Sequence, residues 1–298
     1  SICEKVFFMM ELEDKIIKNN PGGGIMFDKN QYPRNEIGKK IIQVLVEQSE
    51  TELKNFLQYA EIKTPAVETL FQLIENSNNG KLEIPTKITS SSCGVLVVIF
   101  NNFVIKIFQT QNICEKVVRI LKGTQNCLFT VNLFQYVSIQ DSEVHTSFKL
   151  VNVEVKNTFF HAISTAKLNP LVKHTPTVSY LNINFSNSPA LIYKLFKEIG
   201  LAMENIRQLG YNQGDCTFDN VGIIDDHFVL FDFNAANRRI QSSNNDACDF
   251  IKSAKYHLKN IGNEEISKFL NWIQYTNNPE VFYQDVKNYC AEEHNLNI

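Results

Sequence analysis

The chain has 298 residues, of which 44% are hydrophobic and 20% charged, and its formal net charge at pH 7 is −3. These values exclude a disordered tail and predict a sizeable core, in one two-lobed domain or two small ones. The slightly acidic balance argues against a general nucleic-acid binder, which carries a basic patch or stripe. The longest apolar run, Val95 to Phe100, is far shorter than the roughly 20 residues that span a bilayer. We therefore expect binding to neither nucleic acid nor membrane.

Cysteine and histidine usage bears on compartment and metal content. Seven cysteines are scattered along the chain with no CxxC pair, and the six histidines show no metal-ligand spacing. An odd, unclustered set of cysteines is typical of free thiols in a reducing compartment. The sequence thus predicts a cytoplasmic protein without structural zinc.

The apolar pattern of residues 1–80 predicts mainly helix. Apolar side chains recur at helical intervals over residues 35–57 and 65–74. The glycine-rich stretch from Asn20 to Gly24 lacks the GK[ST] ending of a phosphate-binding P-loop, so we interpret it as a turn.

The pattern changes after residue 80. β-Branched and aromatic runs around Asn101-Asn102 predict a hairpin. The predicted elements in chain order are an extended segment at 81–89, strands at 95–100 and 103–108, a helix at 112–121, a second hairpin of strands 128–139 and 144–155, a helix at 188–209, short strands at 221–224 and 227–231, and helices over 246–298.

Three polar residues stand out in the stretch Gly210 to Arg239, GYNQGDCTFDNVGIIDDHFVLFDFNAANRR. Asp215 opens a loop directly after a predicted helix, Asn220 follows five residues later before a strand, and Asp232 ends the next strand. Phosphoryl transfer needs one carboxylate to orient the acceptor hydroxyl and accept its proton. It also needs an amide oxygen and a second carboxylate to hold magnesium beside the phosphates.

This stretch resembles the catalytic loop and metal-binding strand of the protein-kinase superfamily, in which D-x-x-x-x-N precedes D-F-G. Asp215 matches the catalytic-loop aspartate, Asn220 the metal-binding asparagine, and Asp232-Phe233 the start of D-F-G. The resemblance implies an α+β, two-lobed kinase-like fold, with a small antiparallel-sheet N-lobe and a mainly helical C-lobe. The helices predicted over residues 1–80 would form an N-terminal extension to it. It also implies ATP and Mg²⁺ as cofactors.

The upstream half carries weaker parts of the same resemblance. Phe103-Val-Ile-Lys106-Ile resembles the V-A-I-K strand, which implies that Lys106 contacts the phosphates. Glu115 is the candidate for the helix glutamate that orients this lysine. A solvent-facing strand lysine and an exposed helix glutamate are the alternatives. The loop over the phosphates would be formed by Ser91, Ser92 and Gly94.

The sequence departs from the kinase pattern at several positions. The presumed phosphate loop has a single glycine, Asn234 stands third in D-F-G, and Thr217 replaces the lysine two residues after the catalytic aspartate. The segment after Asp232 is short and lacks A-P-E, which reduces the platform for a peptide substrate. Asp246 or Asp249 would brace the catalytic loop, although either could instead cap a helix.

The resemblance spans about residues 81–260 and implies an N-lobe at 81–158 and a C-lobe at 159–298, after the helical extension that the apolar pattern predicts at 1–80. The leading function is ATP- and Mg²⁺-dependent phosphoryl transfer to a protein Ser or Thr hydroxyl, with Asp215 as catalytic base. The alternatives are a small-molecule kinase and a pseudokinase that binds a regulatory protein partner and suppresses a host response. Short lobes and asparagine-rich composition resemble kinase-like proteins of baculoviruses, which would place the protein in the host cytoplasm or nucleus.

Overall fold

The computed structural model describes residues 64–90, 95–108, 110–141, 158–238, 246–276 and 278–294. The chain divides into two compact units. The sheet unit comprises Ser1–Cys114 and Phe134–Lys167, and the helical unit comprises Glu115–Leu133 and Leu168–Ile298. The expected helix at 35–57 and the expected turn at 20–24 lie outside the described residues, and the three-part division at residues 80 and 158 stays a prediction.

Within its described residues, the sheet unit contains one complete helix and five strands. They are α1 (Thr64–Ser77), β1 (Lys87–Ser90), β2 (Val95–Ile99), β3 (Phe103–Phe108), β4 (Leu133–Asp141) and β5 (Thr158–Ala166). The spatial order of the strands is β1-β2-β3-β5-β4. Antiparallel pairing joins β1 to β2, β2 to β3, and β3 to β5. The hairpin predicted around Asn101-Asn102 is confirmed, with Val97 opposite Lys106 in its register.

Strand β5 was not predicted from the sequence. The expected partner of the strand at 128–139 was 144–155, which lies outside the described residues. The turn expected at 140–142 is wrong at its first two residues, because β4 continues to Asp141. In the structure β4 neighbours β5, which in turn pairs with β3. All of residues 161–166 are buried. A strand buried on both faces lacks the alternation of apolar and polar residues that identifies a half-exposed strand.

Helix α1 is an integral part of the sheet unit. Its side chains Leu70, Phe71, Leu73 and Ile74 share one buried cluster with side chains of β1, β2, β3 and β5. In β3 the cluster includes Ile105 and Ile107. Successive side chains of a strand point to opposite faces, so Lys106 lies on the sheet face opposite α1.

The described elements of the helical unit are the later part of α2 (Gln111–Gly123), β6 (Asn169–Pro170), β7 (Val172–His174), β8 (Ser179–Leu181), α3 (Pro189–Gln208), β9 (Tyr211–Asn212), β10 (Val221–Ile224), β11 (His227–Leu230), β12 (Asn237–Arg238), α4 (Asp246–Leu258), α5 (Glu264–Trp272) and α6 (Pro279–His294). The unit is organised around α3, of which 11 residues are buried. The ring of Phe196 in α3 lies 4.9–5.7 Å from the rings of Phe250, Phe269 and Phe282 in three other helices.

Two short antiparallel pairs position the loops that follow α3. Strand β9 pairs with β12, and β10 pairs with β11 across the turn Asp225-Asp226. The predicted helix at 188–209 and both predicted short strands are confirmed. This pairing brings the loop 213–220 beside the turn 231–236. Among the residues that the structure describes, no helix is both long and apolar enough to cross a membrane.

Candidate active site

Asp215 and Asn220 are joined directly. The amide nitrogen Nδ2 of Asn220 donates to the backbone carbonyl of Asp215 at 2.7 Å and to its Oδ2 at 2.9 Å. Asn220 ends a short 3₁₀ turn, Phe218–Asn220, and is buried. Because the nitrogen of the amide faces Asp215, its oxygen is the atom that can ligate a cation.

Asp232 lies in the turn directly after β11 and has a left-handed backbone, with φ of 62°. Such values are uncommon for a residue other than glycine. Its Oδ1 accepts a hydrogen bond from the backbone N–H of Asn234 at 3.4 Å. The backbone carbonyl of Asp232 accepts from Nε2 of Gln213 at 2.7 Å, and Oε1 of Gln213 accepts from the backbone N–H of Asp215 at 2.6 Å. The structure therefore brings Asp215, Asn220 and Asp232 into one cluster.

The electrostatic environment of the cluster raises the pKa of Asp215. Although the residue as a whole is exposed, desolvation of its carboxyl group raises its pKa, and the negative charges of Asp232, Asp219 and Asp249 act in the same direction. The hydrogen bond from Asn220 lowers this pKa, which limits the rise. A carboxylate with a raised pKa is a better proton acceptor than an ordinary one.

Asp246 supports the loop from α4. Its carboxylate is buried and accepts from the backbone N–H groups of Gln213 and Gly214. Gly214 has φ of 89°, and an added Cβ would lie 2.2 Å from the carbonyl oxygen of Ala235. Only glycine fits there without a shift of the backbone. Of the two aspartates considered from the sequence, Asp246 therefore braces the loop.

Helix α2 contacts this cluster through residues that sequence analysis did not single out. Lys116 Nζ donates to the backbone carbonyl of Asn234 at 3.0 Å, and Arg119 Nη1 donates to the hydroxyl of Tyr211 at 3.4 Å. The two cations are three residues apart, so they lie on one face of the helix. No sequence motif marks them, since each contact joins residues about 90 or more positions apart.

Two of the remaining residues that the resemblance implies belong to different units. Lys106 lies in β3 of the sheet unit and is half-buried, whereas Glu115 lies on α2 at the start of the helical unit and is exposed. The predicted pairing of these two side chains stays a prediction. Ser91, Ser92 and Gly94 lie outside the described residues.

The donor set suits magnesium better than zinc. Within the described residues no group of three or more His, Cys, Asp or Glu side chains is arranged to hold a metal ion. Magnesium keeps several waters and takes only one or two protein carboxylates together with phosphate oxygens. The amide oxygen of Asn220 and the carboxylate of Asp232 fit that requirement.

The order of the elements along the chain agrees with the expected fold class. A five-stranded antiparallel sheet with Lys106 on its third strand precedes a mainly helical unit, whose loop carries D-x-x-x-x-N before D-F. This order of elements is the one that the resemblance to protein kinases implies. The expected α+β class with an antiparallel sheet and a mainly helical part is confirmed.

Comparison with known proteins gave similarity to solved kinase structures. The kinase PK-1 of Cydia pomonella granulovirus aligns at 10% identity and a TM-score of 0.36, over 59% of this chain and 58% of its own. Vaccinia related kinase 3 aligns at 9% identity and a TM-score of 0.40, over 76% of this chain and 96% of its own. The chain thus spans less than two thirds of the granulovirus kinase. No family model and no curated protein matches the sequence.

Proposed function

We propose that this kinase-like chain binds ATP and Mg²⁺ and transfers the γ-phosphoryl group to a Ser or Thr hydroxyl of a protein. The observation that carries the proposal is the joint placement of Asp215, Asn220 and Asp232 around Gln213. These residues supply the proton acceptor and the two oxygen ligands that the reaction needs.

In this proposal Asp215 orients the acceptor hydroxyl and takes its proton as the hydroxyl oxygen displaces ADP from the γ-phosphorus. Its raised pKa supports that role. Asn220 and Asp232 hold Mg²⁺, which when bound neutralises the charge concentrated on the phosphates. Lys106 contacts the α and β phosphates and is oriented by Glu115, and Ser91, Ser92 and Gly94 cover the phosphates.

A second candidate is a pseudokinase that binds a regulatory protein partner without transferring phosphate. One observation favours it. Asn234 occupies the place of the glycine in D-F-G, and its amide oxygen is buried with no hydrogen-bond partner among the described residues. A polar side chain is therefore buried where the kinase pattern has a residue without one.

The acceptor class is a separate question. Only 13 residues separate Asp232 from Asp246 at the start of α4, and a short segment there offers little surface for a peptide. A small-molecule hydroxyl is the alternative acceptor. A cytoplasmic location, or the host cytoplasm or nucleus if the chain is viral, remains a prediction.

A thermal-shift titration with ATP and Mg²⁺ tests the nucleotide site. We expect the parent to be stabilised, and Asp232→Ala to lose most of the shift. Glu264→Ala is the matched control, because it removes the same charge from a side chain that is 86% exposed and should keep the shift. No shift for the parent would contradict both ATP and Mg²⁺ binding.

Transfer is tested with labelled ATP and two acceptors, dephosphorylated casein and a mixture of small hydroxyl compounds. We expect label on casein, and a loss of at least 100-fold for Asp215→Ala. Binding of Mg²⁺-ATP by the parent without transfer to either acceptor would favour the pseudokinase. Transfer that Asp215→Ala leaves unchanged would exclude Asp215 as the base.

A further inference from the structure

Gln213 is fully buried, and both its backbone and its side chain make hydrogen bonds. Its backbone N–H donates to Asp246 at 2.6 Å, its Oε1 accepts from the backbone N–H of Asp215 at 2.6 Å, and its Nε2 donates to the backbone carbonyl of Asp232 at 2.7 Å. We propose that Gln213 is the positioning residue that fixes the separation of Asp215 and Asp232. Its consequence for catalysis rests on the proposed function, but the geometric role does not.

The side-chain amide suits this role because it carries a donor and an acceptor on one carbon. Its two shorter bonds go to backbone atoms of the two aspartates, and a longer one of 3.5 Å goes from Nε2 to the backbone carbonyl of Phe231. Gln213 therefore occupies no oxygen of either carboxylate. A glutamate of the same length would keep the bond from the Asp215 N–H but, when ionised, could not donate to Asp232.

One of the two backbones joined by Gln213 needs support from its surroundings. Asp232 has φ of 62°, and a left-handed conformation of a residue other than glycine persists when the surrounding structure over-determines it. Gly214, directly before Asp215, has φ of 89°, which glycine adopts without strain. The carboxylate of Asp246 holds the backbone at Gln213 and Gly214, whereas the Gln213 side chain holds Asp215 and Asp232. The two anchors thus restrain different atoms.

Because the two anchors restrain different atoms, amide hydrogen exchange can test the role of Gln213 without a measurement of enzymatic activity. In the nucleotide-free parent we expect slow exchange at the Asp215 amide. In Gln213→Leu, which keeps the size but removes every side-chain hydrogen bond, exchange at Asp215 should be at least 10-fold faster. The Gly214 amide should keep its protection, since Asp246 still holds it. NMR with residue-specific assignment reads both amides in the same sample.

The variant Gln213→Glu distinguishes the bond to Asp215 from the bond to Asp232. It also replaces Gln213→Leu as the test if that variant does not fold. It should keep the protection at Asp215, because its carboxylate still accepts from that N–H. It should lose the restraint on Asp232, seen as a chemical-shift change of at least several linewidths at the Asn234 amide. Asp215 protection unchanged in Gln213→Leu, or lost equally at Asp215 and Gly214, would overturn the positioning role.

The effect of Gln213 on catalysis is measured separately, by steady-state kinetics. Misplacement by about 1 Å can cost 100-fold in rate, so Gln213→Leu should lower kcat by 10- to 100-fold and raise the Mg²⁺ concentration needed for half-maximal rate. The KM for ATP should change less than threefold. A parent that fails to bind Mg²⁺-ATP would refute the proposed function, while the exchange data would still decide the role of Gln213.

Discussion

The carboxylate of Asp246 accepts a hydrogen bond of 2.6 Å from the backbone N–H of Gln213, 33 residues earlier in the chain. A second bond of 3.0 Å comes from Gly214. Burial raises the pKa of Asp246, and the two backbone bonds act in the opposite direction. The start of the candidate catalytic loop is therefore held by a buried acceptor on α4, three residues from Asp249, which is paired at 3.5 Å with Lys252.

This relationship predicts that Asp246→Asn destabilises the helical unit. The new amide places an NH₂ group against at least one backbone N–H, leaving a buried donor unsatisfied. We expect a loss of about 1–3 kcal/mol in the free energy of unfolding, measured by urea denaturation. Asp249→Asn makes the same chemical change on the same helix and should cost less than about 0.5 kcal/mol. Equal losses for the two variants would contradict the bracing role.

The backbone at Gly214 gives a second prediction. Gly214→Ala should be far more destabilising than Gly210→Ala, although both positions have φ above 80°. Alanine at such a φ costs about 1–2 kcal/mol at either position. At Gly210 an added Cβ meets nothing within 4 Å, whereas at Gly214 it lies 2.2 Å from the Ala235 carbonyl oxygen. The difference between the two unfolding free energies, measured by urea denaturation, therefore reports the clash, and no difference would refute it.

His257 predicts a pH dependence of stability. Its ring stacks on Phe218 of the candidate catalytic loop, with centroids 5.6 Å apart. Burial lowers its pKa below the usual 6.5, against the opposing effect of Asp219, and His174 adds to the lowering. Below that value the unfolded state binds a proton before the folded state does. The stability that His257 contributes is thus full above pH 6.5 and is lost as the pH falls through the folded pKa.

The measurement compares the parent with His257→Phe, which keeps a stacking ring and removes the titration. The free energy of unfolding of the parent relative to the variant should be constant above pH 7. It should fall with decreasing pH below 6.5, at no more than about 1.4 kcal/mol per pH unit. A difference that stays flat from pH 7.5 to 4.5 would show that folding does not shift this pKa.

Helix α1 predicts that residues before position 80 are needed for the stability of the sheet unit. Phe71 is fully buried in the cluster that α1 shares with the sheet, and truncating such a side chain costs about 3–5 kcal/mol. Phe71→Ala should therefore lower the denaturation midpoint strongly. Gln72→Ala, an exposed position on the same helix, should change the free energy of unfolding by less than about 0.5 kcal/mol. A small effect of Phe71→Ala would mean that α1 is dispensable.

Interactions between residues close together in the sequence explain which elements could be predicted. The hairpin at 95–108 follows from two β-branched runs around an Asn-Asn turn, and α3 follows from apolar residues at helical spacing. The D-x-x-x-x-N and D-F spacings are local as well. Strand β5 was missed because burial of both faces hides its period.

The amino-acid sequence by itself determined the local elements and the identity of the candidate chemical groups Asp215, Asn220 and Asp232. Only the tertiary structure decided that Gln213 joins Asp215 to Asp232, that Asp246 rather than Asp249 holds the loop, and that Lys116 reaches the turn at Asn234. Periodicity and turn chemistry act over a few residues. These hydrogen bonds, by contrast, connect positions 19 to 118 apart, and their geometry is set by how helices and strands pack.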